Sequence, residues 1–166
     1  MKENVLEVLI YLFENYMTDG VTDGGGLQTS GANHDNVEIA EELAEAGFQS
    51  GEVDSAFAWL DELVRLSEKQ DGRISCERGI RYYQPREKAS IPLEARSLLM
   101  RLERSGVLDV NSREIVIDRI LALNLADIDV EHVKWVVMMV LCNQTDYPEA
   151  IEWAEGVVTE TYLPVH

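Results

Sequence analysis

Val130-Glu-His-Val-Lys-Trp-Val-Val-Met-Met-Val-Leu-Cys142 is the stretch on which the fold turns. Apart from Glu131, His132 and Lys134 it is apolar, with no proline or glycine inside it. A helix that is apolar on nearly every side is stable in water only when other helices surround it, so this one is expected at the centre of a helical bundle. A second copy could also cover one side of it, but burial within the chain is the expected arrangement. It is far short of the ~20 apolar residues that span a bilayer.

Working back from that helix, Asn111 and Glu114 stand at capping-box spacing before Ile115, Val116, Ile120 and Leu121. Another helix is expected after Ser90-Ile91-Pro92 and ends at Gly106, proline suiting a first turn and glycine a helix end. Downstream, Pro148 opens a final helix with Ile151, Ala154 and Val158 facing in. The second half therefore reads as a four-helix bundle over residues 91–166, preceded by a charged, proline-containing linker at 84–90.

The first half, residues 1–83, reads as three helices. Residues 3–17 carry two adjacent apolar stripes, Val5-Leu9-Leu12-Tyr16 and Leu6-Ile10-Phe13-Met17. A second helix starts at Asp35 and stops near Gly47, with Phe48 turned into the core. Ser50 is the expected cap of a third, whose stripe is Val53, Phe57, Leu60 and Val64. Two short runs follow, Arg73–Cys76 and Ile80–Tyr83, separated by Glu77-Arg78-Gly79, the pattern of a small β-hairpin. Three helices followed by a hairpin is the element order of a winged-helix unit. The fold class is all-α, in two helical halves.

The 166 residues hold 14 Lys and Arg against 31 Asp and Glu, a formal charge of −17, with 46% hydrophobic residues. Such a chain buries a core and repels polyanions and anionic membranes. The acidic N-terminus has neither the basic residues nor the small-residue cleavage site of a signal peptide, and Cys76 and Cys142 read as two reduced thiols, so the expected compartment is the cytoplasm. The charge is segregated: residues 72–120 hold 10 of the 14 bases and a net charge of +3, while residues 1–71 carry −13 and residues 121–166 carry −7. Arg96, Arg101 and Arg104 share one helix face and, with Arg78, Arg81, Arg86 and Lys88, could build an anion-binding patch. The competing reading, which we prefer, is that these bases pair with acids inside the fold.

No catalytic, cofactor or metal site is expected. Between Thr18 and Asn36 the chain has five glycines but no Gly-Lys pair for a phosphate loop, and Gly24-Gly25-Gly26 lacks the third glycine of a dinucleotide loop. Asp19, Asp23 and Gly24 match a calcium loop in part, yet Val21 and Ser30 occupy ligand positions. The three histidines, His34, His132 and His166, form no ligand pair, and no nucleophile elbow is present. The second and third helices could form a helix-turn-helix, but Glu52, Asp54, Asp61 and Glu62 on the reading helix would repel DNA.

Several stretches together resemble the bacterial Smg family along nearly the whole chain. They are Val5-Leu-Glu-Val-Leu-Ile-Tyr-Leu-Phe-Glu-Asn-Tyr16, Ala46-Gly-Phe48 with Trp59-Leu60, Ile80-Arg-Tyr-Tyr83, Arg113-Glu114 with Val116-Ile117, Arg119 and Leu121-Ala-Leu123, and Lys134-Trp-Val-Val137 with Val140-Leu141 and Asn143. The resemblance carries no activity, cofactor or catalytic residue with it. Its polar matches, Arg81, Arg113, Glu114, Arg119 and Lys134, are harder to explain as core than the apolar ones and are the positions to locate first. The expected role is that of a regulatory or adaptor protein whose partner is another protein. Nucleic-acid binding through the basic segment 73–119 is the alternative.

Overall fold

The computed structural model describes residues 4–17, 35–69 and 81–143. The chain divides into two compact units, Met1–Asp71 and Gly72–His166. The glycine-rich loop up to residue 34, the first proposed strand and the helix proposed from Pro148 lie outside the described residues. Of the second proposed strand, Ile80–Tyr83, the three described residues Arg81, Tyr82 and Tyr83 are not strand, because the Arg81 side chain ties this segment to Glu87 and Glu114.

In the first unit, Asn4 caps α1 (Val5–Leu12), its side-chain oxygen accepting from the Leu6 amide at 3.1 Å. A π-helical turn at Phe13–Met17 continues α1, where the periodicity predicts unbroken α-helix. Leu6, Val8, Leu9, Leu12 and Phe13 are buried. α2 (Asp35–Glu45) ends in a Schellman turn: Phe48 N–H donates to the Leu43 carbonyl at 3.0 Å and Gly47 N–H to that of Ala44 at 3.1 Å. Phe48 is turned into the core, as expected, and meets the Tyr11 ring edge-on at 5.7 Å. α3 (Ser50–Glu68) packs against both α1 and α2, burying Val53, Ala56, Trp59, Leu60 and Leu63. Its cap is Gln49 rather than Ser50, which is the first helical residue.

In the second unit, α4 (Pro85–Ser90) occupies the stretch that reads as a linker. Proline at the first position and a capping box between Gln84 and Glu87 start a helix there, on a scale too short for apolar periodicity to register. α5 (Leu93–Arg104) follows, with Pro92 as its cap, and buries Ala95, Leu98, Leu99 and Leu102. It ends at Gly106, φ 81°, in the same Schellman geometry as α2, with Val107 N–H donating to the Leu102 carbonyl at 3.0 Å. α6 (Val110–Ala122) is capped by Asp109, whose carboxylate accepts from the Ser112 amide at 2.6 Å. Asn111 is therefore helical and Glu114 is free of capping duty. α7 (Val130–Asn143) starts from a reciprocal pair: Asp129 accepts from the His132 amide at 2.9 Å, while His132 Nδ1 accepts from the Asp129 amide. Val133 and every residue from Val136 to Leu141 are buried, and both α5 and α6 pack on α7. Trp135 is half-buried. Among the described residues the protein is all-α, with seven α-helices and no strand.

Substitutions at two positions test this arrangement by urea denaturation. Leu141→Ala should cost about 3 kcal/mol, because the buried leucine leaves a cavity in the packing around α7. At Gly106 an added Cβ would meet nothing within 4 Å, so the penalty there is purely conformational. Gly106→Ala should cost about 1 kcal/mol, and Gly106→Asn less, since Asn tolerates the left-handed region.

Candidate functional site

Three of the five polar residues that stand out in the sequence, Arg81, Arg113 and Glu114, converge in the second unit on one chain of ion pairs. Arg81 precedes α4 and points its guanidinium at two carboxylates. It donates to both Glu87 oxygens at 2.8 and 2.9 Å, and to both Glu114 oxygens at 2.6 and 3.0 Å. Arg113 in turn donates to Glu114 at 2.9 Å and to both oxygens of Glu103 at 2.6 and 2.7 Å. The result is an alternating ladder, Glu87–Arg81–Glu114–Arg113–Glu103, that ties α4, α5, α6 and the segment before α4 together. Glu87 also accepts from the Gln84 amide at 2.8 Å, so one carboxylate both caps α4 and anchors Arg81.

Burial gives the ladder its weight. Arg113 is only 6% exposed and Glu87 9%, so each requires an opposite charge at bonding distance to offset its lost hydration. Hydrogen bonds from Arg81 hold the Glu87 carboxyl below its ordinary value. Partial burial pushes the Glu114 carboxyl up, but the hydrogen bonds from Arg81 and Arg113 together outweigh it and leave that group lowered as well. Both arginines are raised, Arg81 chiefly by its bonds to Glu87 and Glu114. The Tyr83 ring lies beneath the Arg81 guanidinium at 4.7 Å and near that of Arg96 at 5.7 Å, and burial raises its phenol.

The remaining bases divide. Arg119 is buried and pairs with Asp118 at 2.6 Å, and Lys134 pairs with Glu131 at 2.7 Å at the surface of α7. Arg96 is drawn back to the Ile91 carbonyl, its Nε donating at 3.2 Å, so it does not join Arg101 and Arg104 in one patch. Arg101 and Arg104 are exposed and make no ion pair among the described residues; Arg86 and Lys88 on α4 are exposed too. Arg78 lies outside the described residues. Among the described residues no cluster of three or more His, Cys, Asp and Glu could hold a metal ion, and no helix is long and apolar enough to cross a membrane.

Glu87 and Glu103, the outer carboxylates of the ladder, escape a reading of the sequence for charge patches. The box spacing of Gln84 and Glu87 around Pro85 is the signal that could have found the first.

Arg113→Ala should destabilise the protein by about 2 kcal/mol in urea, because Glu103 loses its partner while Glu114 keeps Arg81. Arg101→Ala should stay within about 0.5 kcal/mol of wild type. The carboxylates also set a pH dependence. Because Glu87 and Glu114 lie below their ordinary 4.5 when folded, the stability they supply is complete above that pH and is lost as pH falls through their lowered values. Acid titration of the Glu87→Gln/Glu114→Gln variant should therefore show a shallower loss below pH 4.5 than wild type.

Comparison with known proteins places this architecture in a family. A family model described as "Protein of unknown function (DUF494)" matches residues 5–166. A Smg homolog of Alkalilimnicola ehrlichii is 41% identical over 166 residues, covering 100% of this chain and 98% of the relative. A second, from Nitrosococcus oceani, is 42% identical over 159 residues, covering 95% and 94%. A third, from Thioalkalivibrio sulfidiphilus, is 38% identical over 161 residues, covering 97% and 96%. No solved structure matches significantly. With the family model and these relatives agreeing along nearly its full length, the chain belongs to the Smg family.

Proposed function

We propose that this protein is a non-enzymatic regulatory or adaptor protein of the cytoplasm that works by docking another protein on its helical surfaces. The observation that carries this reading is the division of the basic segment. Its most chemically suggestive groups, Arg81, Arg113 and Glu114, are engaged with one another and with Glu87 and Glu103. A carboxylate lowered by two guanidinium groups is ionised at neutral pH, has no proton to give and is a weak base, so it makes a poor general acid or base. What the unit offers to solvent is instead the outer surface of its helices.

Nucleic-acid binding is less well supported. Of the eight described bases from Arg81 to Arg119 only four, Arg86, Lys88, Arg101 and Arg104, are exposed, against a chain charge of −17. Four phosphate contacts give weak, salt-sensitive binding to a molecule that the rest of the protein repels.

Affinity capture of the tagged full-length chain from native cytosol at near-physiological salt tests the reading. A defined protein recovered in stable proportion is the expected result. Recovery of nothing above background would contradict it, and a capture abolished by nuclease would favour the nucleic-acid alternative.

A further inference from the structure

The outward face of α5 has a pattern that its packing against the described residues does not use. Leu93, Ser97, Met100 and Arg104 are all exposed and follow one another at spacings of four, three and four residues. That is the spacing of a coiled-coil seam, in which successive side chains line one stripe of a helix. The stripe lies opposite Ala95, Leu98, Leu99 and Leu102, the residues α5 buries in its own core. Leu93 is 68% exposed and Met100 49%, and these are two of the four large apolar residues most open to solvent among the described residues.

Charge runs along the same face. Arg101 flanks the stripe and Arg104 closes it, both exposed and without an ion pair among the described residues, while the neighbouring Glu103 is turned to Arg113. Glu94 is the one exposed acid on α5, and it stands at the opposite end. In a chain of net charge −17, the C-terminal half of this face is apolar and basic.

We infer that the outward face of α5 is a docking site for an amphipathic helix of another protein, one whose apolar stripe is flanked by acidic residues. This inference rests on the adaptor reading and names its surface. Charge complementarity chooses the occupant: acids beside the partner's stripe would meet Arg101 and Arg104, while Leu93 and Met100 would take its apolar side chains. Phosphates would use the arginines but not an apolar seam, and the chain's net charge opposes a polyanion. The seam runs roughly 16 Å, about three helical turns, a length suited to a short helix bound weakly and reversibly.

The test uses the full chain and a fluorescein-labelled three-heptad peptide with Leu at the seam positions and Glu beside them, read by fluorescence anisotropy. The wild-type protein should bind it. Arg101→Glu/Arg104→Glu and Met100→Glu should each weaken binding by about tenfold or more, and Arg86→Glu by less than about twofold. A peptide with Lys in place of Glu should not bind. Because all of these side chains are exposed, the variants should keep a cooperative urea transition, lowered slightly for Arg101→Glu/Arg104→Glu by acids at the helix C-terminus, which separates lost docking from lost fold. No binding by wild type, equal binding by the variants, or displacement of the peptide by a single-stranded oligonucleotide would overturn the inference. So would sedimentation showing that wild type self-associates and Arg101→Glu/Arg104→Glu does not, since a second copy would then own the face. If cytosolic capture recovers a partner that Arg101→Glu/Arg104→Glu retains in full, the α5 site falls while the adaptor reading stands.

Discussion

A guanidinium that leaves water needs an opposite charge to offset its lost hydration, and in this protein that constraint ties α4, α5 and α6 together. Arg113 sits in the first turns of α6 with almost no solvent exposure, so Glu103 and Glu114 must be brought to it. Glu114 then needs a second cation to share its charge, and Arg81 supplies it from before α4. Arg81 in turn is fixed by Glu87, which is also the capping residue of α4. Arg81, Glu114 and Arg113 each pair with two neighbours, so removing one weakens the charge balance of both.

Helix ends make this convergence possible. α5 stops at Gly106, where a left-handed residue closes its last carbonyls, and Asp109 opens α6 only a few residues later. The tight reversal lays the last turn of α5 beside the first turn of α6, and so sets Glu103 against Arg113 at 2.6 Å. The same reversal leaves the other side of the last turn of α5, with Arg101 and Arg104, facing solvent. Internal pairing and outward basic charge are two consequences of one local geometry.

Much of this was legible in the residues. The apolar run of α7 announces a central helix, and Gly47 and Gly106 mark helix ends that the structure closes with the same hydrogen bonds. Arg81, Arg113 and Glu114 stand out as polar matches with no core role, and all three fall in the ladder. Other features were not legible because they depend on distance rather than pattern. Six residues are too few for a helical period, so α4 reads as linker. Asp109 outcompetes Asn111 as a cap because its charge sits at the positive end of the helix dipole. Arg96 belongs to the arginine face by spacing, yet the Ile91 carbonyl and the Tyr83 ring pull it out of that face. The outward stripe of α5 was not legible because two apolar residues, Leu93 and Met100, with polar Ser97 between them on the stripe, make no periodic pattern.

Arginines of one segment have opposite fates, and side-chain hydrogen exchange measures that directly. In nuclear magnetic resonance of the full chain at neutral pH, the Nε–H protons of Arg81 and Arg113 should exchange slowly with water, because each donates to Glu114. Those of Arg101 and Arg104 should exchange at the rate of a free guanidinium. Equal, fast exchange at all four would contradict the ladder, and with it the view that these bases divide between holding the fold and facing a partner.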